Sequence, residues 1–530
     1  MSTTPPIPLD LANDAVCHGL VVEASAGTGK TYSVAALVTR EIALREDLRI
    51  GQILITTFTR NAAAELRDRV RRRLADTAAL LRSGDDAAGD VIIERLREGS
   101  DDEIAARIAR LERALAEFDT ATISTIHGVC SRVLRMAGIE VSSVVDTAAT
   151  EKITAEVVND VVVSRATPEH RWDEKRIIPL VEAMLADPFL QPWIDPEATA
   201  LSQSDRSLLE ALSGVLRECV ARVQAATAAQ PSFYDLLRIA HDLIHDESRV
   251  DLLLALMQRF QLAIVDEAQD TDRLQWAFFR RLFPGGDGRA LVSVGDPKQA
   301  IYGFRGADVR AYVAYARDAK ARRTLTTNRR SDQPLLDALN AGFDGQTFGE
   351  EISYLEVNAP SSRQKAQIGG VSCVEFVDLG DVGNQQALAR PVLGKVIELL
   401  EDARLPKAGS RSKKGRPLEP RDICVLVRSG SAGRRIQQEL AGAGIPAVTG
   451  GTSSVMASEM ASDVRSLLDA IEQPSATGRV RRAAATVFFG HSLLDVGSLT
   501  DEALGEVQDG LYKLVSILTT KGIAALAATL

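Results

Sequence analysis

The stretch from Leu20 to Ile42 constrains the fold of this chain most. A short apolar run, Leu20 to Val22, leads into ASAGTGKT at Ala24–Thr31, and apolar residues then recur at Val34, Leu37, Val38 and Ile42. The run reads as a buried strand, and the spacing after it as a helix with one apolar face. Between them, Gly27 and Gly29 lack a Cβ, so the backbone can curl until successive amide N–H groups point at one anion. The positive end of the following helix stands behind them. Ala24, Ser25, Ala26, Gly27, Thr28 and Gly29 would form the cradle, Lys30 would reach the β and γ phosphates, and Thr31 would hold Mg²⁺. Ala24 stands where the pattern usually has its first glycine. The feature implies an α/β fold around a nucleoside triphosphate.

At 530 residues the chain is too long for one core. Its 45% hydrophobic and 25% charged residues are those of a soluble globular protein. The first twenty residues carry neither Lys nor Arg and no long apolar run, so no secretion signal is expected, and a cytoplasmic location is. Cys17, Cys130, Cys219, Cys373 and Cys424 form no CxxC pair and read as buried small hydrophobes. A net charge of −10 argues against a protein that coats nucleic acid over its whole surface, but leaves room for a local basic groove. Arg60, Arg67, Arg69, Arg71, Arg72 and Arg73 are a candidate for one; a solvated helix face is the alternative for the last three.

Short apolar strands at Ile53–Thr57, Ala121–Thr125, Leu262–Val265 and Leu291–Val294 alternate with helical patterns, which implies a parallel, doubly wound sheet. In such sheets ligands sit at the carboxyl ends of the strands. Residues 1–345 are expected to form this first domain, with helical insertions at about 76–118 and 141–230. Residues 346–450 read as the start of a second α/β unit, with strands at Gly370–Val377, Ile423–Val427 and Pro446–Val448. Residues 404–421, rich in Lys, Arg, Gly, Ser and Pro, read as a flexible loop. Residues 451–530 are expected to be helical, Thr520–Ile523 included.

LAIVDEAQDTD at Leu262–Asp272 places two acids at the end of a buried strand. A carboxylate there is costly unless it meets a cation, as Asp266 would through Mg²⁺. Glu267 would then orient and deprotonate the attacking water. Gln299, in VGDPKQAIYGFRGAD at Val294–Asp308, has donors and an acceptor on a short stem suited to sensing the γ phosphate. Tyr302, Phe304 and Arg305 follow it; exposed, they would stack on unpaired bases, and buried, the two rings would be core. His241 and His245 have the i, i+4 spacing of a zinc helix but lack its Glu and a third ligand. The chain has no Asn–Lys dipeptide and hence no guanine-reading NKxD.

Taken in order, ASAGTGKT, TFTRNAAAEL (Thr57–Leu66), STIHGVC (Ser124–Cys130), DEAQDT, GDPKQAIYGFRGAD and TNRRS (Thr327–Ser331) resemble the successive motifs of superfamily one DNA helicases, the RecB-like branch most of all. The resemblance runs from about Leu20 to Gly490. It implies RecA-like P-loop domains, ATP and Mg²⁺ as cofactors, and 3′ to 5′ unwinding from broken DNA ends in repair and recombination. It also implies RecC-like and RecD-like partner subunits. Asp266 and Glu267 would be catalytic, Gln299 would couple hydrolysis to DNA, and Arg330 would contact the γ phosphate. Phe58, Thr59, Arg60, His127, Tyr302, Phe304 and Arg305 would line the single-strand track. The family usually has an aromatic where this chain has Arg329, and an upstream adenine-reading Gln where the first here is Gln52. Two later family motifs and the nuclease domain have no match in these residues. The second motor domain is therefore expected to be incomplete, and an ATP-dependent DNA-binding or assembly module with little hydrolysis is the alternative function.

Overall fold

The computed structural model describes residues 6–87, 89–139, 147–167, 171–192, 202–228, 231–303, 307–349, 351–365, 368, 372–378, 388–405, 416–450 and 458–530. It divides into two compact units, Met1–Phe376 and Val377–Leu530.

The first unit is built on a parallel sheet of β1 (Ile7–Pro8), β2 (Leu20–Ala24), β3 (Ile53–Thr57), β4 (Thr122–Thr125), β5 (Leu262–Asp266), β6 (Ala290–Gly295) and β7 (Ala321–Leu325), in the order β1-β7-β2-β6-β5-β3-β4. Side chains alternate across a strand, so each central strand feeds two cores. Leu20, Val22, Ile53, Ile55, Leu262, Ile264, Val292 and Val294 meet α1 (Lys30–Leu44), α2 (Arg60–Ser83), α3 (Val91–Arg97) and α4 (Asp101–Ala116) on one face. Val21, Leu54, Ala263, Val265 and Leu291 meet α5 (Ile126–Met136), α9 (Phe233–His245), α10 (Val250–Arg259), α11 (Arg273–Leu282) and α12 (Val309–Arg317) on the other. Between them in sequence, α6 (Thr147–Ser164), α7 (Glu174–Ala186) and α8 (Gln203–Thr227) share a small core around Val158, Val181 and Cys219.

Register then fixes the working edge. Asp266 pairs with Val294, Val294 with Val22, and Glu23 with both Gly295 and Thr324. The carboxyl ends of β2, β5, β6 and β7 are thus level, and the loops that leave them carry the motifs. Residues 347–365 stay on this unit: Val357 and Ala359 cover Leu336 of α13 (Gln333–Phe343), and the Arg363 guanidinium donates to the Arg330 carbonyl at 3.0 Å.

In the second unit α14 (Ala389–Asp402) packs on α15 (Gly430–Gly442) around Val396, Ile436 and Leu440. The helices after Ser458 bury Leu467, Ala483 and Leu511. The strands expected at 423–427 and 446–448, and at the described residues 372–377, do not form. Ile423, Ile445 and Ala447 lean on the two helices, but no neighbouring strand among the described residues pairs with these segments, and Leu426 and Val448 stand 92% and 94% exposed. Of the expected loop at 404–421, Arg404–Leu405 and Arg416–Pro417 pair as antiparallel strands, and Arg416 binds Asp422; residues 406–415 lie outside the described residues. Thr520–Ile523 is not one helix, because Gly522, at φ +82, ends the helix Asp501–Lys521. Cys130 and Cys219 are buried as read, whereas Cys373 and Cys424 are exposed: their segments lack the pairing that would have covered them.

Candidate functional site

The loop Ser25–Gly29 joins the end of β2 to the first turn of α1. Thr28 holds it in a tight turn, donating from its N–H and its hydroxyl to the Ser25 carbonyl at 3.3 and 2.7 Å. The loop is covered by TNRRS. The Arg329 N–H donates to the Gly27 carbonyl at 2.7 Å, the Asn328 amide donates to the Ala26 carbonyl at 2.9 Å, and Asn328 Oδ1 accepts from the N–H groups of Arg330 and Ser331. Gly27 is required twice over. Its φ is +78, and a Cβ there would lie 2.6 Å from Asn328 Oδ1 and 2.7 Å from Arg330 Cβ. Arg330 is therefore held against the loop by its own backbone, and Asn328, whose residue type alone does not announce it, is the clamp.

Across the loop, Lys30 Nζ lies 2.6 Å from Glu267 Oε2. Glu267, at φ +51, is the one non-glycine with positive φ among the described residues. Such a backbone costs about 1–3 kcal/mol. It turns the Glu267 carboxylate back toward Lys30 and into the reach of Gln269, whose Nε2 donates to the same oxygen at 2.9 Å.

Gln269 is 2% exposed, and its Oε1 accepts from the Asp296 N–H at 2.9 Å. Asp296, buried too, accepts from Gln299 Nε2 at 2.7 Å and pairs with Lys298 at 2.8 Å. Gly295 makes room for this contact, since a Cβ there would sit 2.7 Å from Gln269 Oε1. Glu267, Gln269, Asp296 and Gln299 thus form one hydrogen-bonded chain between the β5 and β6 ends. Gln299 reaches the acid pair only through Gln269. Gln269 lies inside the motif DEAQDT, but residue type alone does not show that it is buried between the two strand ends.

Burial, reinforced by the adjacent Glu267 charge and opposed by Lys30, pushes Asp266 up to about 6; Asp270 is raised to about 6 for the same reasons. Asp266 Oδ1 and Asp270 Oδ1 are buried with no hydrogen-bond partner among the described residues. A bound cation is the partner such an oxygen lacks. No cluster of three or more His, Cys, Asp or Glu is gathered there or elsewhere among the described residues. Mg²⁺ does not need one, because it takes one or two carboxylates and completes its shell with phosphate oxygens and water. The Asp266 carboxylate and the Thr31 hydroxyl at the start of α1 fit that demand.

A second concavity, of about 480 Å³, opens beside α2, β4 and α5 and is lined by Phe58, Arg60, Arg67, Ser124, Thr125 and His127 among others. Thr59 caps α2 by accepting from the Ala62 N–H at 3.1 Å. Phe58 stacks on Tyr302 with ring centroids 4.5 Å apart, both half-exposed, so Tyr302 packs on a surface ring and not in the core. Burial, with Arg60 nearby, lowers the His127 pKa and leaves the ring neutral at pH 7. Phe304 and Arg305 lie outside the described residues. The arginine run of α2 does not form one groove. Arg73 is locked to Asp90 at 2.5 and 2.7 Å, Arg69 pairs with Glu65, Arg71 lies over the Phe118 ring and Arg72 is exposed away from the cavity lining; Arg60 and Arg67 line the cavity, Arg67 also lying over Phe118 and 3.6 Å from Asp119. Gln52 caps its own turn at the start of β3, at the far end of the strand from the loop.

The seven-stranded parallel sheet, with a glycine loop at the end of β2 and an acid pair at the end of β5, defines a RecA-like P-loop fold. The UvrD/REP helicase N-terminal domain matches residues 10–320. This chain belongs to the UvrD/REP helicase family. It is 34% identical to the RecBCD enzyme subunit RecB of Mycobacterium tuberculosis over 95% of its own length and 47% of that protein's. It is 26% identical to the Escherichia coli subunit of the same name over 91% and 52%. Its identity to the ATP-dependent DNA helicase PcrA of Leuconostoc citreum is 29% over 61% and 36%. The chain thus spans about half the length of the RecB relatives it matches. Among the described residues no helix is long and apolar enough to cross a membrane.

Proposed function

We propose that this chain is the ATP-binding motor portion of a 3′ to 5′ DNA helicase of the RecB type, acting at double-strand breaks in repair and recombination. Residues 1–345 are read as the nucleotide-binding motor domain, with 347–365 still packed on it; the chain from Val377 to 450 is read as opening the second, and 451–530 as beginning a helical insertion. The observation that carries the reading is the Lys30–Glu267 contact at 2.6 Å, flanked by the orphaned oxygen of Asp266.

The loop N–H groups and Lys30 bind the triphosphate, and Lys30 exchanges Glu267 for phosphate oxygens as it does so. Freed from the ammonium, Glu267 accepts a proton from the attacking water, while Gln269 keeps its carboxylate aimed. Arg330, held on the loop, neutralises charge on the transferring phosphoryl oxygens. Mg²⁺, held by Thr31 and Asp266, would supply further neutralisation of that charge. The chain Glu267–Gln269–Asp296–Gln299 ties the water-activating acid to the segment that carries Tyr302, and Tyr302 stacks on Phe58 at the cavity edge. Phe58, Thr59, Arg60, His127, Tyr302, Phe304 and Arg305 form the single-strand track, where rings stack on bases without reading sequence. RecC-like and RecD-like subunits are the partners this reading implies, and the cytoplasm is its location.

ATP turnover by the chain, measured with and without single-stranded DNA and beside unwinding of a 3′-tailed duplex, tests the reading. Stimulation by the single strand is expected. Nucleotide-dependent DNA binding with no stimulated turnover would favour the binding-module alternative.

A further inference from the structure

Beyond the track, α5 leads to a second basic site. His127, Gly128 and Ser131 face the first cavity, and Arg132, Arg135 and Met136 line another, of about 280 Å³, together with Arg259 at the end of α10. From His127 to Arg135 is two helical turns, ~12 Å. The two concavities lie along the same helix: Arg135 Nε donates to the carbonyl of Ser131 one turn back, and the charge of Arg67 at the first cavity is felt at Arg132.

None of the three arginines has a carboxylate partner among the described residues. Arg132 donates to the Thr122 hydroxyl at 3.2 Å on edge strand β4, and Arg259 lies over its neighbour Phe260 with its Nε buried and unpartnered. Burial and the repulsion of Arg259, Arg135 and Arg67 lower the Arg132 pKa. A single arginine in the last turn of a helix is explained by the helix dipole. Three that converge from two helices on one hollow, without a counter-charge, cost free energy that a bound anion would return. Among the described residues the hollow is lined by Arg132, Arg135, Met136 and Arg259 and by no ring, so it suits a backbone and not a base, and guanidinium forks match phosphate oxygens.

We propose that Arg132, Arg135 and Arg259 bind the sugar–phosphate backbone of a nucleic-acid strand and extend the single-strand track past the C-terminal end of α5. The inference rests on reading the first cavity as that track. The placement of both concavities along α5, with Ser131 lining one and Arg132 the other, favours a strand over an acidic protein surface.

The test is fluorescence anisotropy of labelled oligothymidylates of increasing length with the 530-residue chain, across a salt series. Each lost phosphate contact lowers the slope of log K against log salt by ~0.7 on a single strand. The triple variant R132Q/R135Q/R259Q is therefore expected to lower it by about 2, with the largest affinity loss on the longest strands. R132K/R135K/R259K, which keeps the charge, is expected to keep the slope. If the glutamine triple fails to fold, exposed Arg135→Gln alone is expected to lower the slope by ~0.7. Slopes equal to wild type in the glutamine variants overturn the proposal, as an acidic protein partner would require. Phe58→Ala separates the two readings, because it removes stacking and not charge. If it weakens binding while the arginine variants do not, only this inference falls. If the wild-type chain binds no oligonucleotide, the track and this inference fall together.

Discussion

Glu267 Oε2 accepts from two donors on different elements, Lys30 Nζ at 2.6 Å and Gln269 Nε2 at 2.9 Å. The acid that would activate water is thus held by the phosphate loop and by the link to β6 at once. Loss of one donor leaves the other in place, so variants at the two positions should fail differently.

Lys30→Ala removes the charge that, on the proposed reading, faces the phosphates. Mg-ATP affinity, followed by calorimetry or a fluorescent analogue, is expected to fall at least about 30-fold, the scale of a lost charge-assisted hydrogen bond. Affinity equal to wild type would refute the nucleotide-site assignment.

Gln269→Ala frees Glu267 from its other donor and cuts the link to Asp296. As a positioning residue, Gln269 should affect kcat more than KM. Stimulation of kcat by single-stranded DNA should fall about tenfold or more, while KM for ATP moves less than threefold. Equal changes in both parameters would mark Gln269 as structural support only.

Asp266 titrates near 3.8 in an unfolded chain and is pushed up to about 6 in the fold, burial being the first cause. Between those values the folded protein keeps a proton that the unfolded chain has released, so stability falls as pH rises through the window. Above about 6 the ionised group costs ~3 kcal/mol. Without nucleotide or Mg²⁺, Asp266→Asn should raise the Tm at pH 8 by a few degrees and leave it unchanged at the acid end of the window. Protons and Mg²⁺ compete for the same oxygen, so wild-type Mg-ATP affinity should decline as pH drops below about 6. An Asn variant no more stable than wild type at pH 8 would contradict this.

Phe58→Ala removes one partner of the Phe58–Tyr302 stack. Single-strand affinity is expected to fall about 5- to 150-fold, the 1–3 kcal/mol of one base–aromatic contact. No change in anisotropy titrations would place the track elsewhere.

The strand ends that carry the glycine loop and the acid pair are legible because each is local. A strand, a glycine loop and a helix follow one another in sequence at Leu20–Leu44, and the acids close a buried strand at Leu262–Asp266. Gln269, Asn328 and the left-handed Glu267 were not legible, since each owes its role to a neighbour distant in sequence or to a backbone angle that residue type does not reveal. The partners of the α2 arginines are hidden for the same reason: Asp90, which holds Arg73, joins it only once α3 packs on α2. The strand readings at 423–427 and 446–448 relied on β-branched and apolar composition, which marks a segment able to pair but cannot supply its neighbours.

Turnover by Glu267→Gln tests the central claim most directly. The amide keeps the size of the side chain and its contact with Gln269 but cannot take a proton. With saturating Mg-ATP and single-stranded DNA, the variant is expected to bind nucleotide and turn over ~10² to 10⁴ times more slowly than wild type. Turnover within a factor of about three of wild type would show that water is activated elsewhere, and the account of this site would fail.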